Sequence, residues 1–490
     1  MLYQSTRGEK KTLTAAEAIA RGIAEDGGLF VPDAFPRLDP AGLLPLGYRA
    51  RAERVLAPFL TGFTAEEVAQ CTAGAYTAEK FESDDIAPVR SLDGATHILE
   101  LFHGPTAAFK DVALQILPHF MTAASRKLGG QDVIRILVAT SGDTGKAAME
   151  GFADVPGTEI LVFYPSDGVS DIQKLQMRSQ TGGNVGVCGI RGNFDDAQTG
   201  VKRVFGDPAI RAALKERGIV FSSANSINVG RLIPQIVYYY SAYCDLVNRG
   251  AVRPGEPVNI AVPTGNFGNI LAAYYAMRMG LPVNRLICAS NRNNVLTDFI
   301  RTGVYDRNRP FYQTESPSMD ILVSSNLERY LHALGGVELT RACMDALRKD
   351  GRYRIPDALL AEMDKLFWGG FCDSDATCAE IARCWNESRY LLDPHTAVAS
   401  GVLRQYRAET GDMTPAVVAS TASPYKFADS VLAALGTESE GFDAIDRLAE
   451  LTGVAVPKPI AALRGRPVLH ERVCDVAELP EVAQLPIREV

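Results

Sequence analysis

Apolar positions along the chain fall in short, near-continuous runs that alternate with stretches of helical spacing. Residues 134–140 form such a run, rich in β-formers; it ends at the turn Ser141-Gly142-Asp143-Thr144-Gly145, and 146–152 reads as a helix. The rhythm repeats, with strands predicted at 159–164, 184–190 and 219–223 and a helix from about residue 195. A long helical stretch covers 229–247 with a proline at 234, and a strand at 258–264 runs through a loop into a helix at 270–279. A strand at 286–290, a mostly helical region at 340–412, a late strand at 416–420 and a helix at 427–435 follow. Buried strands alternating with helices imply parallel sheets covered on both faces, an α/β fold.

The first 90 residues follow a different pattern. Thr14 with Glu17, and Thr64 with Glu67, have the spacing of capping boxes. A mainly helical N-terminal cap is therefore expected over 1–90. The alternating region divides into a smaller αβα domain at 91–225 and a larger one with a helical insertion at 226–435. The proline-rich segment 436–490 is left as a C-terminal extension. No internal repeat or low-complexity segment is visible.

A chain of 490 residues is too long for one hydrophobic core. Its net charge of −8 argues against a generic nucleic-acid binder but leaves room for a local anion pocket. The nine cysteines are scattered without a C-x-x-C pair, which reads as reduced thiols. Cys372, Cys378 and Cys384 recur every six residues, but that step lands on different faces of a helix, so no metal site is expected. No apolar run reaches the ~18 residues of a membrane span. The start lacks a signal-peptide core, so a cytoplasmic location is expected.

Two segments carry chemistry. Gly265-Asn266-Phe267-Gly268-Asn269 joins a strand to a helix. Its glycines let several backbone N–H groups converge, and the helix start adds donors and a favourable dipole, so the loop can cradle a phosphate. Lys110 lies in Phe102-His103-Gly104-Pro105-Thr106-Ala107-Ala108-Phe109-Lys110-Asp111, among small and apolar neighbours. A desolvated lysine loses its proton readily and attacks carbonyls. Lys146 and Lys426 compete for this role, but their surroundings suit it less. A reactive amine and a phosphate cradle together suggest pyridoxal 5′-phosphate. The loop at 141–146 half resembles a nucleotide P-loop, but position 140 is Thr, and Ala147 stands where Ser or Thr should hold magnesium. It is better suited to a substrate carboxylate.

These blocks, with Tyr3 to Gly8, Asp26 to Pro32, Asn225 to Arg231 and Thr421 to Phe427, occur in the order found in threonine synthases. The chain resembles that family over essentially its whole length, in the longer form found in many bacteria and fungi. The resemblance implies the fold type II architecture, related to the tryptophan synthase β chain, with the cofactor between two αβα domains. It also implies conversion of O-phospho-L-homoserine and water to L-threonine and phosphate. Lys110 would carry the cofactor, residues 265–269 its phosphate, and Thr421 its ring nitrogen. Ser141, Gly142, Asp143 and Thr144 would surround the substrate carboxylate, with Asp143 also near the cofactor's phenolic oxygen. Asn228, Arg231, Ser324, Ser325, Asn326 and Arg329 are candidates for the substrate phosphate. The sequence departs from the expected pattern at Asp143 (usually Asn in the wider fold), Leu327 (Phe) and Ser423 (often His). The implied protein is a monomer or small homo-oligomer acting on a small molecule, without nucleic acid or membrane partners. The rivals are another lyase of this fold, such as a serine or threonine dehydratase, and a non-catalytic phosphate-binding homologue.

Overall fold

The apolar runs become the strands of two sheets in the computed structural model, which describes residues 1–140, 142–166 and 171–490. The larger sheet has six strands in the order Phe367–Phe371, Val283–Ser290, Val258–Pro263, Ala416–Ser420, Thr96–Glu100, Val89–Ser91. Its neighbours are parallel except for the last pair. The smaller sheet has five parallel strands, Val473–Asp475, Val185–Arg191, Thr158–Pro165, Val133–Ala139 and Ile219–Ser222. The inner strands of both are buried along almost their whole length, as a parallel sheet with helices on both faces requires.

The sheets divide the chain differently from the expected segments. Val89–Ser91 and Thr96–Glu100 join the larger sheet, so the smaller unit does not begin at 91. The segment 436–490 is not a separate extension. Val473–Asp475 adds the edge strand beside Val185–Arg191, and the fully buried Arg135 donates from Nη1 to the carbonyls of Ala483 and Leu485, each at 2.9 Å. Three residues of strand between prolines give too little periodicity to be read from sequence.

Two further expectations are refined. The stretch 229–247 is two helices, Val229–Leu232 and Pro234–Asn248; Pro234 opens the second, where its missing N–H is not needed. The region 340–412 is mostly helical, as expected, but also contains the short strands Arg352–Arg354 and Phe367–Phe371. The second was hidden by its two glycines. A Cβ on Gly369 would lie 3.2 Å from Thr297 Cα, so a neighbouring helix needs the bare backbone there.

The N-terminal region carries the expected helices Ala15–Arg21 and Ala65–Ala75, each opened by its capping box. It also pairs Tyr3–Ser5 with Phe30–Pro32. It is fastened to the helix Leu327–Asp350 by the Arg7–Glu328 ion pair at 2.8 Å and the Thr6 hydroxyl on Glu328 at 2.6 Å. No described helix is long and apolar enough to cross a membrane.

Candidate active site

The carboxyl ends of three neighbouring strands of the larger sheet deliver the functional segments, the usual place for a site in an open α/β sheet. Val258–Pro263 leads through Thr264 into the loop 265–269, and the helix Gly268–Met279 begins inside it. Phe267 takes the left-handed conformation at φ 63° and turns its ring inward onto Phe367 and Tyr330. A Cβ on Gly265 would lie 3.1 Å from Met319 Cα and from the Ser318 carbonyl, so the loop presses against residues 318–319.

The amides around this loop are polarised. Asn269 Oδ1 accepts from the hydroxyls of Tyr238 (2.6 Å) and Tyr239 (2.5 Å), while its Nδ2 is buried without a partner. Asn326 Oδ1 accepts from Arg329 Nη1 at 2.5 Å; its Nδ2 is also buried and unpaired, 3.4 Å from where a Gly268 Cβ would stand. Buried donors are normally satisfied. Two unsatisfied ones beside a helix N-terminus form a cup that can receive an anion.

Lys110 is positioned by the segment that follows Thr96–Glu100. Phe109 N donates to Thr421 O at 2.8 Å, and Ser423 N to Ala107 O at 3.0 Å, so the lysine is stitched to the end of Ala416–Ser420. Ala107 is left-handed at φ 54°. The buried Asp111 carboxylate accepts the amide and hydroxyl of Thr106, at 2.9 and 2.7 Å. A Cβ on Gly104 would meet that carboxylate at 2.5 Å, so the motif needs its glycine for close approach. Burial pushes the Asp111 carboxyl up to about 6.

The Lys110 side chain is 13% exposed, and burial brings its amine down to about 8. Its Nζ lies 3.3 Å from Ser318 Oγ and 3.8 Å from Asp143 Oδ2. Asp143 opens the helix Asp143–Phe152 from the smaller unit. Its Oδ2 accepts from Ser318 Oγ at 3.2 Å, and its Oδ1 is 2.6 Å from Lys426 Nζ. Burial alone would raise the Asp143 carboxyl, but Lys426 and Lys110 together hold it well below the usual carboxylate range.

Ser318 is held from behind. Its amide donates to His395 Nε2 at 3.3 Å, and His395 Nδ1 is 2.9 Å from Asp393 Oδ1. Because an amide N–H can only donate, Nε2 is the acceptor and Nδ1 carries the proton to Asp393. Ser318, His395 and Asp393 were not found from sequence, and Lys426 was considered only as a rival to Lys110. One local signal existed: Asp393 before Pro394 is an N-cap pattern, and it fixes His395 at a helix start.

The other predicted residues separate. Thr421 follows directly from Ala416–Ser420 and is buried beside Lys110's backbone. Gly142 and Thr144 flank Asp143, with Gly142 at φ 149° and its amide on Thr140 Oγ1 at 3.0 Å; Ser141 lies outside the described residues. Arg231 is buried, donates from Nη1 to Ala224 O at 2.9 Å, and keeps Nε unpaired; burial lowers it to about 10. Asn228 caps its helix through Gly230 N at 2.9 Å and reaches Ile19 O with its amide at 3.0 Å. Arg329 donates to Phe30 O (3.0 Å), Ile227 O (2.5 Å) and Asn326, which makes it a tie between cap and core. Ser324 Oγ donates to Gly265 O at 2.7 Å, and Ser325 Oγ lies 3.4 Å from Asn266 Oδ1. Both therefore brace the 265–269 loop.

Residues 98–422 match the family described as pyridoxal-phosphate dependent enzyme. Residues 2–76 match threonine synthase N terminus, and 396–485 match threonine synthase, C-terminal. Human threonine synthase-like 1 is 44% identical over 437 residues, 86% of this chain; the chain spans 58% of that protein's length. Threonine synthase of Pseudomonas aeruginosa is 40% identical over 440 residues, 88% of this chain and 90% of that protein. The crystal structure of PLP-bound threonine synthase from Brucella melitensis superposes with a TM-score of 0.88 at 37% identity, over 99% of both chains. That of yeast threonine synthase gives 0.89 at 31%, over 100% of this chain and 99% of that one.

Proposed function

The chain belongs to the threonine synthase family of pyridoxal-phosphate-dependent enzymes, and from that premise we propose that it converts O-phospho-L-homoserine and water to L-threonine and phosphate. In class it would be a carbon–oxygen lyase acting on phosphate. Its fold is type II and its cofactor is pyridoxal 5′-phosphate.

The residues present fit that cofactor. The observation that carries the reading is that Ser318 touches both ends of the site. Its hydroxyl meets the Lys110 amine at 3.3 Å, and its carbonyl lies 3.1 Å from where a Gly265 Cβ would stand. The amine and the glycine loop thus lie against the same residue, close enough that one small phosphorylated aldehyde could meet both. The backbone of 265–269 with Asn269 Nδ2 and Asn326 Nδ2 would hold the phosphate. Lys110 would hold the aldehyde carbon, and Thr421 would face the ring nitrogen.

When bound, the cofactor supplies an electron sink for negative charge developing at the substrate α carbon. The chain supplies the rest. Lys110 Nζ, which burial makes lose its proton far more readily than an exposed lysine, is the base that takes the α proton. The amide donors at the start of Asp143–Phe152 receive the substrate carboxylate. Arg231, with its unpaired Nε, is the candidate for the leaving phosphate, as a charge-assisted donor. Asn326 and Arg329, first assigned to the substrate phosphate, fit the cofactor cup and the cap joint instead.

The deciding experiment is phosphate release from O-phospho-L-homoserine with threonine identified as the product. Purified protein should be yellow, borohydride should fix the cofactor to Lys110, and Lys110→Ala should abolish turnover. Dominant deamination of threonine would favour a dehydratase. Cofactor binding without turnover of either substrate would favour a non-catalytic homologue.

A further inference from the structure

We propose that Lys426 is a positioning residue that neutralises the Asp143 carboxylate, so that this carboxylate can orient the Lys110 end of the site without fixing a proton on it. The inference rests on the cofactor being carried by Lys110. The geometry is one carboxylate between two ammonium groups. Lys426 Nζ stands 2.6 Å from Oδ1, a direct ion pair, whereas Lys110 Nζ stands 3.8 Å from Oδ2, with Ser318 Oγ in reach of both. Asp143 is therefore paired first with Lys426.

Lys426 is built to stay where it is. Its side chain is 3% exposed, and its Nζ also donates to Thr106 O at 3.0 Å. Thr106 is in turn fixed by its amide and hydroxyl on Asp111. Lys426 lies in the turn Pro424–Phe427, capped by Ser423 Oγ on Tyr425 N at 3.3 Å. One partner of the ammonium, Thr106 O, belongs to the Lys110 motif, and the other, Asp143, shares the Ser318 hydroxyl with Lys110.

The charges decide the consequence. In a desolvated site a neutral cluster is favoured over a charged one. Lys426 with ionised Asp143 sums to zero, so a proton on Lys110 would make the cluster cationic. Without Lys426, Asp143 would have only Lys110 as counter-ion and would hold that proton. The charged groups acting on Lys110 are Asp143 and Asp111, which favour its protonation, and Lys426 and Arg231, which oppose it. His395 acts on Asp143 from the helix Pro394–Thr410.

The test uses the holoenzyme and follows the visible absorption of the bound cofactor against pH. Lys426→Met should raise the protonation midpoint by about one to two pH units, from a unit charge removed at this range. Lys426→Arg should restore it to within about half a unit. Asp143→Asn, which leaves Lys426 unbalanced, should lower the midpoint, and Asp143→Asn/Lys426→Met should return it towards wild type. The last two variants decide the matter should Lys426→Met fail to fold. A midpoint that stays fixed or falls in Lys426→Met, or a double variant that shifts as far as the single, would overturn the inference alone. Wild-type protein with no visible band at Lys110 would overturn the functional reading with it.

Discussion

An amine can act as a nucleophile or base only after losing its proton, and at position 110 burial supplies that condition. In cofactor-free protein the folded chain holds this amine at about 8, against 10.5 for an exposed lysine. Above the unfolded value the amine is neutral in both states and burial costs little. As pH falls from 10.5 towards 8 the unfolded chain takes the proton first, so stability declines, by roughly 3 kcal/mol in all. Lys110→Met should therefore be more stable than wild type in denaturant titrations at pH 7, with the advantage shrinking as pH approaches 10. A difference that does not change with pH would contradict the assignment. Asn326 offers a second prediction at this scale. Its unpaired Nδ2 should donate to the cofactor phosphate, so Asn326→Ala should weaken cofactor retention about tenfold or more while circular dichroism stays unchanged. Lys110 was legible because its neighbours are small and apolar. The resemblance offered Asn326 only as a substrate-phosphate candidate, and its direction was not legible, because Arg329 and the Gly268 backbone set it.

At the scale of elements, two helices meet through one glycine. A Cβ at Gly151, in the helix Asp143–Phe152, would fall 2.0 Å from the Leu114 carbonyl of the helix Lys110–Leu114. Backbone cannot yield as a side chain can, so Gly151→Ala should push the helices apart, destabilise the protein by about 1–3 kcal/mol and draw Asp143 away from Lys110. Thermal melting with a cofactor-binding titration checks both parts; a variant that melts and binds as wild type would show that the helices have slack. Most interior strands were readable because they are apolar almost throughout; Thr96–Glu100 was not, because Thr96, His97 and Glu100 break its apolar run. Phe367–Phe371 was missed because its glycines imitate a loop, and the break at 233 because Pro234 fits a helix start as well as a kink.

At the scale of the molecule, the chain ends complete what the middle begins. The cap is held by Glu328 and Arg329, the two residues that follow Asn326 and Leu327 at the edge of the anion cup. The last residues close the smaller sheet and supply the two carbonyls that satisfy buried Arg135. Removing residues 471–490 should leave that guanidinium short of partners, expose the edge of Val185–Arg191 and lower the melting temperature by several degrees or more. Hydrogen exchange should show the loss concentrated in the smaller sheet. Equal loss in both sheets would mean that the molecule unfolds as one unit.

The sequence by itself determined the alternation of strand and helix and, through the order of its motifs, the family, and it singled out the glycine loop and the amine at 110 as the candidates for chemistry. Each depends on residues close together along the chain, where periodicity and turn chemistry act. Only the tertiary structure decided what surrounds that amine. Ser318 reaches Lys110 across 208 positions and Asp143 across 175, and Lys426 arrives from another strand end. Asn228 and Arg329, which looked suited to a substrate anion, were taken up by backbone groups distant in sequence. Which buried polar atoms find a partner, and which are left facing the site, depends on long-range packing, and that packing sets charge and proton position where the chemistry takes place.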